Sequence, residues 1–167
     1  MTSILDIGSS EEVALFNPAF LARLLHGAVS DYEKGSRQSM PVALAFLLIP
    51  LVLHKPTRDD LPTLASSQIQ TWIREHPRHL AQLGTRVVGM RSFVGLSIRF
   101  GLHHGVLILT GEDGRIGPGS VRRRPRGYNE SESLEVQECL RAARFMGRWF
   151  ARQPDTATLL ALWGLRP

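Results

Sequence analysis

The apolar residues in the first part of the chain recur at helical spacing. Between Asn17 and Gly35 they fall three and four positions apart, which places them on one face of a helix. Asn17 and Pro18 are typical of a helix start, and Gly35 is typical of a helix end. Ser9 and Glu12 have the spacing of a capping box. They predict a shorter helix ahead of the first long one.

The most apolar part of the chain runs without a charged residue from Pro41 to Leu53. It is too short to span a membrane, which requires about 20 residues, and charged residues follow it at once. A segment that is apolar on all sides is typical of a buried helix. Pro50 lies inside it and predicts a bend or a break. We therefore expect a kinked core helix or two short ones. The sequence leaves open whether part of this run faces a partner.

The pattern after this run predicts three more helices and then a hairpin. The helical patterns cover residues 66–77, 77–90 and 91–105. A β-branched run from Val106 to Thr110 follows, then the turn dipeptide Asp113-Gly114 and a short arm at Arg115. Helices followed directly by a hairpin are the order of a winged-helix domain. This order predicts a winged-helix-like region over residues 1–120.

The rest of the chain predicts a basic linker and a helical end. Residues 121–130 are polar and rich in arginine, which predicts a connector. Residues 131–167 form a C-terminal helical segment that packs on the same core. Asn129 with Glu132 predicts the start of its long helix, and Asp155 caps a last short one. The predicted apolar stripe of the long helix is Leu134, Val136, Leu140, Ala143, Met146 or Gly147, and Phe150. The predicted fold class is mainly α with one β-hairpin.

Composition narrows the class of protein without fixing its activity. The chain has 167 residues, of which 43% are hydrophobic and 21% are charged, as in ordinary soluble domains. The net charge of +5 is compatible with a nucleic acid or an acidic protein as partner. Cys139 is the single cysteine, so an internal disulfide and a cysteine-rich zinc site are excluded. The first residues lack the pattern of a secretory signal. We expect a cytoplasmic protein that binds no membrane.

The patterns of catalytic and metal sites are incomplete. The stretch "GEDGRIGPG" lacks the Lys-Ser/Thr ending of a phosphate loop. The six histidines are scattered, and the adjacent pair His103 and His104 would point in different directions on a helix. Cys139 has no evident base beside it and is typical of a packed core cysteine. We expect no enzyme, no cofactor and no metal; an enzyme using His103, His104 or Cys139 is the weakest hypothesis.

Two groups of side chains are candidates for contact with partners. The first group is a basic cluster: Arg122, Arg123, Arg124 and Arg126. Such a cluster either neutralises phosphates or contacts an acidic protein, or it is only a solvated linker. The second is a group of large apolar residues, typical of interface centres but also of ordinary cores: Trp72, Trp149, Leu159 and Trp163.

Several blocks of the chain resemble a known family. They are "EVALFNPAFLARLL", "MPVALAFLLIPLVLHKPTRDDLP", "GLHHGVLIL" with a following "DG", and "GRWFA" with "LWGLRP". These blocks are similar to the middle component of bacterial ABC three-component systems, and they extend from Glu12 to Pro167. The arginine-rich stretch from Arg122 to Arg126 departs from this resemblance.

The resemblance implies a non-catalytic adaptor subunit. Such a subunit would link an ATPase of the structural-maintenance-of-chromosomes (SMC) type to an effector, in a complex that acts against phage or plasmids. DNA contact within the complex remains possible. The alternative is a winged-helix DNA-binding regulator. The helix before the hairpin offers only Arg91 and Arg99 among apolar residues, where a recognition helix needs several polar side chains. This favours protein contact.

Overall fold

The computed structural model describes residues 16–122, 132–153 and 155–166. Within these ranges the chain forms seven α-helices, one 3₁₀ turn and three short strands. The elements are α1 (Pro18–Ser36), β1 (Met40–Pro41), α2 (Val42–Leu53), α3 (Lys55–Asp59), α4 (Ile69–Glu75), the 3₁₀ turn (Pro77–His79), α5 (Leu83–His103), β2 (Leu107–Thr110), β3 (Arg115–Pro118), α6 (Leu134–Phe150) and α7 (Thr156–Leu162). The predicted fold class, mainly α with a β-hairpin, is confirmed. The short helix predicted at Ser9 lies outside the described residues.

Helix α1 begins where the sequence predicts and ends slightly later. The side chain of Asn17 accepts a hydrogen bond from the backbone N–H of Ala19 at 2.8 Å, so it caps the helix. The helix passes through Gly35 and ends at Arg37, which has a left-handed φ of 62°. Gly35 is needed for another reason, because a Cβ placed there would lie 2.9 Å from the Cβ of Ala151.

Helix α2 confirms the prediction of a core helix. It is one continuous helix that contains Pro50, so the alternative of two short helices is wrong. All residues from Leu47 to Val52 are buried, and none of them is left open to a partner. In the described ranges, no helix combines the length and the apolar character needed to cross a bilayer.

The predicted hairpin is confirmed, and it belongs to a larger sheet. Strands β2 and β3 are antiparallel and joined by a four-residue turn, in which Gly111 and Gly114 both have a φ of 66°. The two-residue strand β1 adds to the other side of β3, with Met40 opposite Ile116. The strand order is therefore β1-β3-β2. The sequence did not predict β1, because two residues are too few to show a period.

Helix α5 is longer than predicted. The patterns at residues 77–90 and 91–105 were interpreted as separate helices, but one helix runs from Leu83 to His103 and only a 3₁₀ turn precedes it. Gly84, Gly89 and Gly95 lower helix propensity without breaking the helix. The boundary near Arg91 is therefore wrong, since no residue there interrupts the backbone hydrogen bonds.

Helix α6 packs most extensively on α1 and completes the core. The side chain of Ser133 caps it by accepting from Val136 N at 3.3 Å; the predicted cap Asn129 lies outside the described residues. Gly147 brings the two helices together, because a Cβ there would lie 2.1 Å from the carbonyl oxygen of Ala28. Leu134 was expected on the apolar stripe but is 66% exposed. The division into residues 1–120, 121–130 and 131–167 stays a prediction.

Candidate functional site

The outer face of α5 exposes two large apolar side chains, Val88 and Leu96, among small and polar residues. Seven of the exposed residues of α5 recur at helical spacing and therefore share one side of the helix: Thr85, Val88, Gly89, Ser92, Leu96, Arg99 and His103. Val88 is 74% exposed and Leu96 is 48% exposed, whereas Val94 and Ile98 on the opposite side are buried. We call these seven residues the α5 face. Large exposed apolar side chains at regular spacing are typical of a binding surface.

Further exposed apolar side chains lie on another side of α5 and on the strand that follows it. Phe93 is 39% exposed and its ring packs on that of Phe16, with the centroids 5.0 Å apart. Strand β2 follows α5 directly and exposes Ile108 and Leu109. The close packing of Leu107 on Gly101 fixes β2 against the end of the helix. The hairpin and the α5 face thus form neighbouring exposed apolar regions.

The charge of α5 is entirely basic. The helix contains Arg86, Arg91 and Arg99 and no aspartate or glutamate. Arg86 is half-buried and donates to the carbonyl oxygen of His79 at 3.4 Å. Its Nη1 atom is buried without a hydrogen-bond partner among the described residues, and burial lowers the pKa of its guanidinium. An apolar face with unpaired arginines favours a partner that carries carboxylates.

The three tryptophans predicted as interface residues form one buried cluster. Trp72 lies 5.6 Å from Trp149 and 5.7 Å from Trp163 between ring centroids. All three are buried, and so is Leu159 on α7. The cluster joins α4, α6 and the end of α7, as a core does. No partner is present to test the predicted interface role, which stays a prediction.

Hydrogen bonds fix two of the three indole rings. Trp72 Nε1 donates to the carbonyl oxygen of Asp60 at 2.8 Å, and Trp149 Nε1 donates to that of Ser67 at 2.6 Å. Trp163 Nε1 is buried without a hydrogen-bond partner among the described residues. Trp72 also stacks on His79 with a centroid distance of 5.4 Å. The cluster is therefore continuous with a group of polar side chains.

This polar group is a chain of hydrogen bonds through two histidines. His79 Nε2 lies 2.6 Å from Asp60 Oδ2, and His79 Nδ1 lies 3.3 Å from Thr57 Oγ1. Thr57 Oγ1 lies 2.8 Å from His54 Nδ1. When the proton of neutral His79 is on Nε2, that atom donates a hydrogen bond to Asp60, and Nδ1 of the same ring accepts from the hydroxyl of Thr57. The hydroxyl oxygen of Thr57 in turn accepts from Nδ1 of His54. We call these four residues the His–Thr–His–Asp chain.

The surroundings of this chain favour a structural role. Thr57 is fully buried and its oxygen lies between two imidazoles, so its hydroxyl is closed to a substrate. Burial is the main reason that the pKa of His54 is lowered, and nearby positive charges add to it. Hydrogen bonds from Arg78 and His79 lower the pKa of Asp60. Both shifts oppose protonation of these residues in the folded protein.

Other residues considered for chemistry lie apart from one another. Cys139 is buried, as expected of a core cysteine, and burial raises the pKa of its thiol to about 11, so the reactive thiolate is disfavoured. His103 ends α5 and His104 caps it, both exposed. In the ranges that the structure covers, no group of three or more His, Cys, Asp or Glu residues is arranged to hold a metal.

The predicted basic cluster is described only at its first residue. Arg122 is exposed, whereas Arg123, Arg124 and Arg126 lie outside the described residues. The structure adds a second basic region that the sequence analysis missed, on the outer side of α6. The signal for this region was present in the sequence as arginines three and four positions apart on α6. It was missed because the apolar stripe of the same helix was used to interpret it.

Comparison with known proteins gives one match. Over residues 6–167 the chain is similar to the family model described as "ABC-three component (ABC-3C) system Middle Component 3". No curated protein and no solved structure matches the chain. The family match covers nearly the whole chain, including α5, the hairpin and α6.

Proposed function

Because the chain belongs to the Middle Component 3 family of ABC-three component systems, we propose that it is a non-catalytic adaptor subunit. In this proposal it links an SMC-like ABC ATPase to an effector, and the complex acts against phage or plasmids. The family name supports action together with other components. The complex is proposed to work in the cytoplasm.

The observation that carries the adaptor role is the α5 face. Val88 and Leu96 project from a helix whose other side is packed in the core. Burying a fully exposed side chain of this size in a partner would contribute about 1.5–3 kcal/mol. Val88 is 74% exposed and Leu96 is 48% exposed, so a partner could gain part of this for each of them. An adaptor needs this kind of surface, and an isolated monomer does not.

The chemistry of α5 specifies the segment that it receives. Arg91 and Arg99 border the apolar residues, and α5 carries no carboxylate. The complementary segment is an amphipathic one with apolar residues in the middle and Asp or Glu at its margins. We propose that the ATPase or the effector contributes it. Gly89 and Ser92 leave room for a close approach, and a Cβ at Gly89 would meet no atom within 4 Å.

In this proposal the tryptophan cluster is not part of the partner contact. Trp72, Trp149, Leu159 and Trp163 would reach a partner only if α7 moved away from α4 and α6. The α5 face is open without such a movement. The proposed contact therefore uses α5, and an interface role for the four residues remains a separate prediction.

Co-purification tests the adaptor role. The chain is co-expressed with the ATPase and the effector encoded beside it, with an affinity tag on the ATPase. The double substitution Val88→Glu and Leu96→Glu should remove the effector from the purified complex, and this chain with it if the ATPase contributes the segment, because it places carboxylates where apolar contact is needed. The monomer should keep its thermal midpoint, since both residues are exposed.

The matched control changes exposed apolar residues elsewhere. Leu64→Glu with Val121→Glu adds the same charge outside α5, and both residues are at least half exposed. This variant should co-purify like the natural chain. Assembly of ATPase and effector in equal yield without this chain would contradict the adaptor role. If both double variants lose co-purification to the same extent, the contact does not lie on α5.

The order of strands supports a second candidate, the winged-helix DNA-binding regulator. A helix, a first strand, further helices and a hairpin, with the first strand next to the last, give the arrangement expected of a winged-helix-like domain. In such a regulator α5 would enter the major groove. Its exposed centre carries Val88, Ser92 and Leu96, which offer little for reading bases. The variant Arg91→Gln with Arg99→Gln tests this candidate, because it should abolish DNA binding if α5 reads DNA.

A further inference from the structure

The outer side of α6 carries a row of arginines. Three of them share one face of the helix and the fourth lies in the turn directly after it, spaced three and four positions apart: Arg141, Arg144 and Arg148 on α6, and Arg152 after it, all exposed. At a rise of 1.5 Å per residue the row is about 16 Å long. The side chain of Arg144 lies over Gly27 of α1, where a Cβ would come within 3.2 Å of its Cγ. The row therefore follows the line where α6 packs on α1.

Helix α1 adds basic residues along the same line. Three shallow depressions follow the contact between the helices, and their linings contain seven basic side chains and three acidic ones. We call the seven basic residues the basic seam: Arg23, Lys34, Arg37, Arg141, Arg144, Arg148 and Arg152. The seam gives one side of the molecule a local excess of positive charge.

The acidic residues neutralise only part of this charge. Asp31 pairs with Arg148 and with Lys34, and Glu132 pairs with Arg23. Both carboxylates are nearly buried beneath the seam, with side-chain exposures of 8% and 11%. Arg141, Arg144 and Arg152 form no ion pair with another described residue. Their guanidinium groups are left available to an external anion.

Described residues on both sides of the arginine-rich stretch contact α1 at one end of the seam. Before the stretch, the carbonyl oxygen of Gly119 lies 3.2 Å from His26 Nε2 on α1. After it, Glu132 pairs with Arg23, one turn earlier on the same helix. Gly119 and Glu132 thus contact α1 one turn apart, close to Arg23 of the seam.

The composition of the seam identifies the kind of partner. Its lining contains no aromatic residue and only Leu140 as a large apolar one, so it lacks the centre of a protein–protein interface. It also lacks the stacking platforms that single-stranded nucleic acids require. Duplex DNA presents one phosphate about every 3.4 Å along each strand, so a 16 Å row spans about five phosphates. Arginine suits such groups because its planar fork binds two phosphate oxygens.

We propose that the basic seam binds the phosphate backbone of a nucleic-acid duplex, independently of sequence, and that Arg141, Arg144 and Arg152 are its principal contacts. This function goes beyond the adaptor role. It also differs from readout by α5, because it uses another helix and no base contacts. Glu138 and Asp59 lie on the far side of Arg141 and mark the acidic border of the surface.

Salt-dependent binding tests the proposal. Fluorescence anisotropy of a labelled DNA duplex of about 30 base pairs is measured with the purified full chain over a range of salt concentrations. Each phosphate contact contributes about 0.9 to the slope of log K against log salt. The triple variant Arg141→Gln, Arg144→Gln and Arg152→Gln should therefore lower the slope by about three and bind more weakly at every salt concentration.

The control variant removes the same number of positive charges from other parts of the surface. Lys55→Gln, Arg74→Gln and Arg166→Gln alter three exposed basic residues that lie outside both the seam and the α5 face. This variant should keep nearly all of the slope. An equal loss in both triple variants, or no binding by the natural chain at low salt, would overturn the proposal. Thermal midpoints of both variants identify any loss that comes from unfolding.

Further probes separate the possible polyanions. A double-stranded RNA of the same length should bind if backbone charge alone is recognised, and single-stranded DNA should bind more weakly. Vesicles of phosphatidylserine and phosphatidylcholine serve as an anionic membrane surface. If the seam substitutions reduce binding to vesicles but not to duplexes, the seam is a membrane contact and the proposal is wrong. If they reduce co-purification with the ATPase or effector and leave DNA binding unchanged, it is an acidic-protein contact, and the proposal is equally wrong.

Discussion

At the scale of single residues, Gly147 sets the distance between the two helices that pack most closely. A Cβ there would lie 2.1 Å from the carbonyl oxygen of Ala28, and backbone cannot move aside as a flexible side chain does. Glycine at this position of α6 thus has a packing reason that outweighs its cost to helix propensity. The basic seam follows the same contact line, so its geometry depends on this residue.

We predict that Gly147→Ala lowers the free energy of unfolding by about 2 kcal/mol or more, because the two helices must separate. Gly89→Ala is the matched control, since a Cβ there meets no atom within 4 Å and alanine favours the helix. It should raise the free energy of unfolding by about 0.5–1 kcal/mol. Urea denaturation followed by circular dichroism measures both values. A neutral Gly147→Ala would contradict the close approach.

At the scale of elements, the His–Thr–His–Asp chain connects α3 and the residues beside it to the 3₁₀ turn before α5. His54 lies between α2 and α3, and His79 belongs to the 3₁₀ turn before α5. Trp72 of α4 stacks on His79 and connects this chain to the tryptophan cluster. The polar chain therefore determines how the region between α2 and α5 is arranged.

We predict that acidification weakens this arrangement. The folded pKa of His54 lies below its usual value of 6.5, so its contribution to stability is complete above that pH and is lost as the pH falls. The lowered pKa of Asp60 acts in the same direction at more acidic pH. His54→Asn should reduce the fall in thermal midpoint between about pH 7.5 and about pH 5. His103→Asn, at an exposed histidine, should leave that fall unchanged; an equal change in both would contradict the prediction.

The elements differ in how far the sequence determined them. Asn17 with Pro18, the run from Pro41 to Leu53 and the Asp113-Gly114 turn were interpreted correctly, because caps, apolar runs and turns act over a few residues. Strand β1 was missed because its formation depends on β3, far along the chain. α1 ends later than the predicted Gly35, with Arg37 as its C-cap, and α6 begins after Ser133. At each of these ends several residues could serve as the cap, so the sequence alone did not identify the right one.

The candidate site was harder to predict than the fold. Large apolar residues were interpreted as possible interface residues by type, yet Trp72, Trp149 and Trp163 are buried while Val88 and Leu96 are exposed. Residue type does not reveal which face of a helix the rest of the chain will cover. In α5 the apolar residues occur on nearly all sides, so the exposed face could be identified only after packing was known.

At the scale of the whole molecule, two exposed surfaces lie on different helices. The α5 face exposes Val88 and Leu96, and the basic seam lies along α1 and α6. Since α5 and α6 each pack on α1 and α2, both surfaces are held by one core. In the proposed complex, this arrangement would allow the chain to contact a protein partner and a nucleic acid at the same time.

We predict that each of the two surfaces can be inactivated by mutation without affecting the other. Val88→Glu with Leu96→Glu should abolish co-purification with the other components and leave the salt slope of DNA binding nearly unchanged. The triple arginine variant of the seam should show the reverse. Measuring both assays on both variants decides between independent surfaces and a single one, because loss of both activities in either folded variant would contradict the prediction.

The pairing of β1 with β3 has a consequence for synthesis of the protein. The Arg115 side chain donates to the carbonyl oxygen of Ser39, 76 positions earlier, and closing a loop of that length costs about 4 kcal/mol in chain entropy. On the ribosome, α2 emerges long before β3 and α6 can cover it. At about 5–20 residues per second, the apolar run stays uncovered for roughly 5–20 s. We therefore expect the nascent chain to bind chaperones that recognise apolar segments, with α2 as the bound segment.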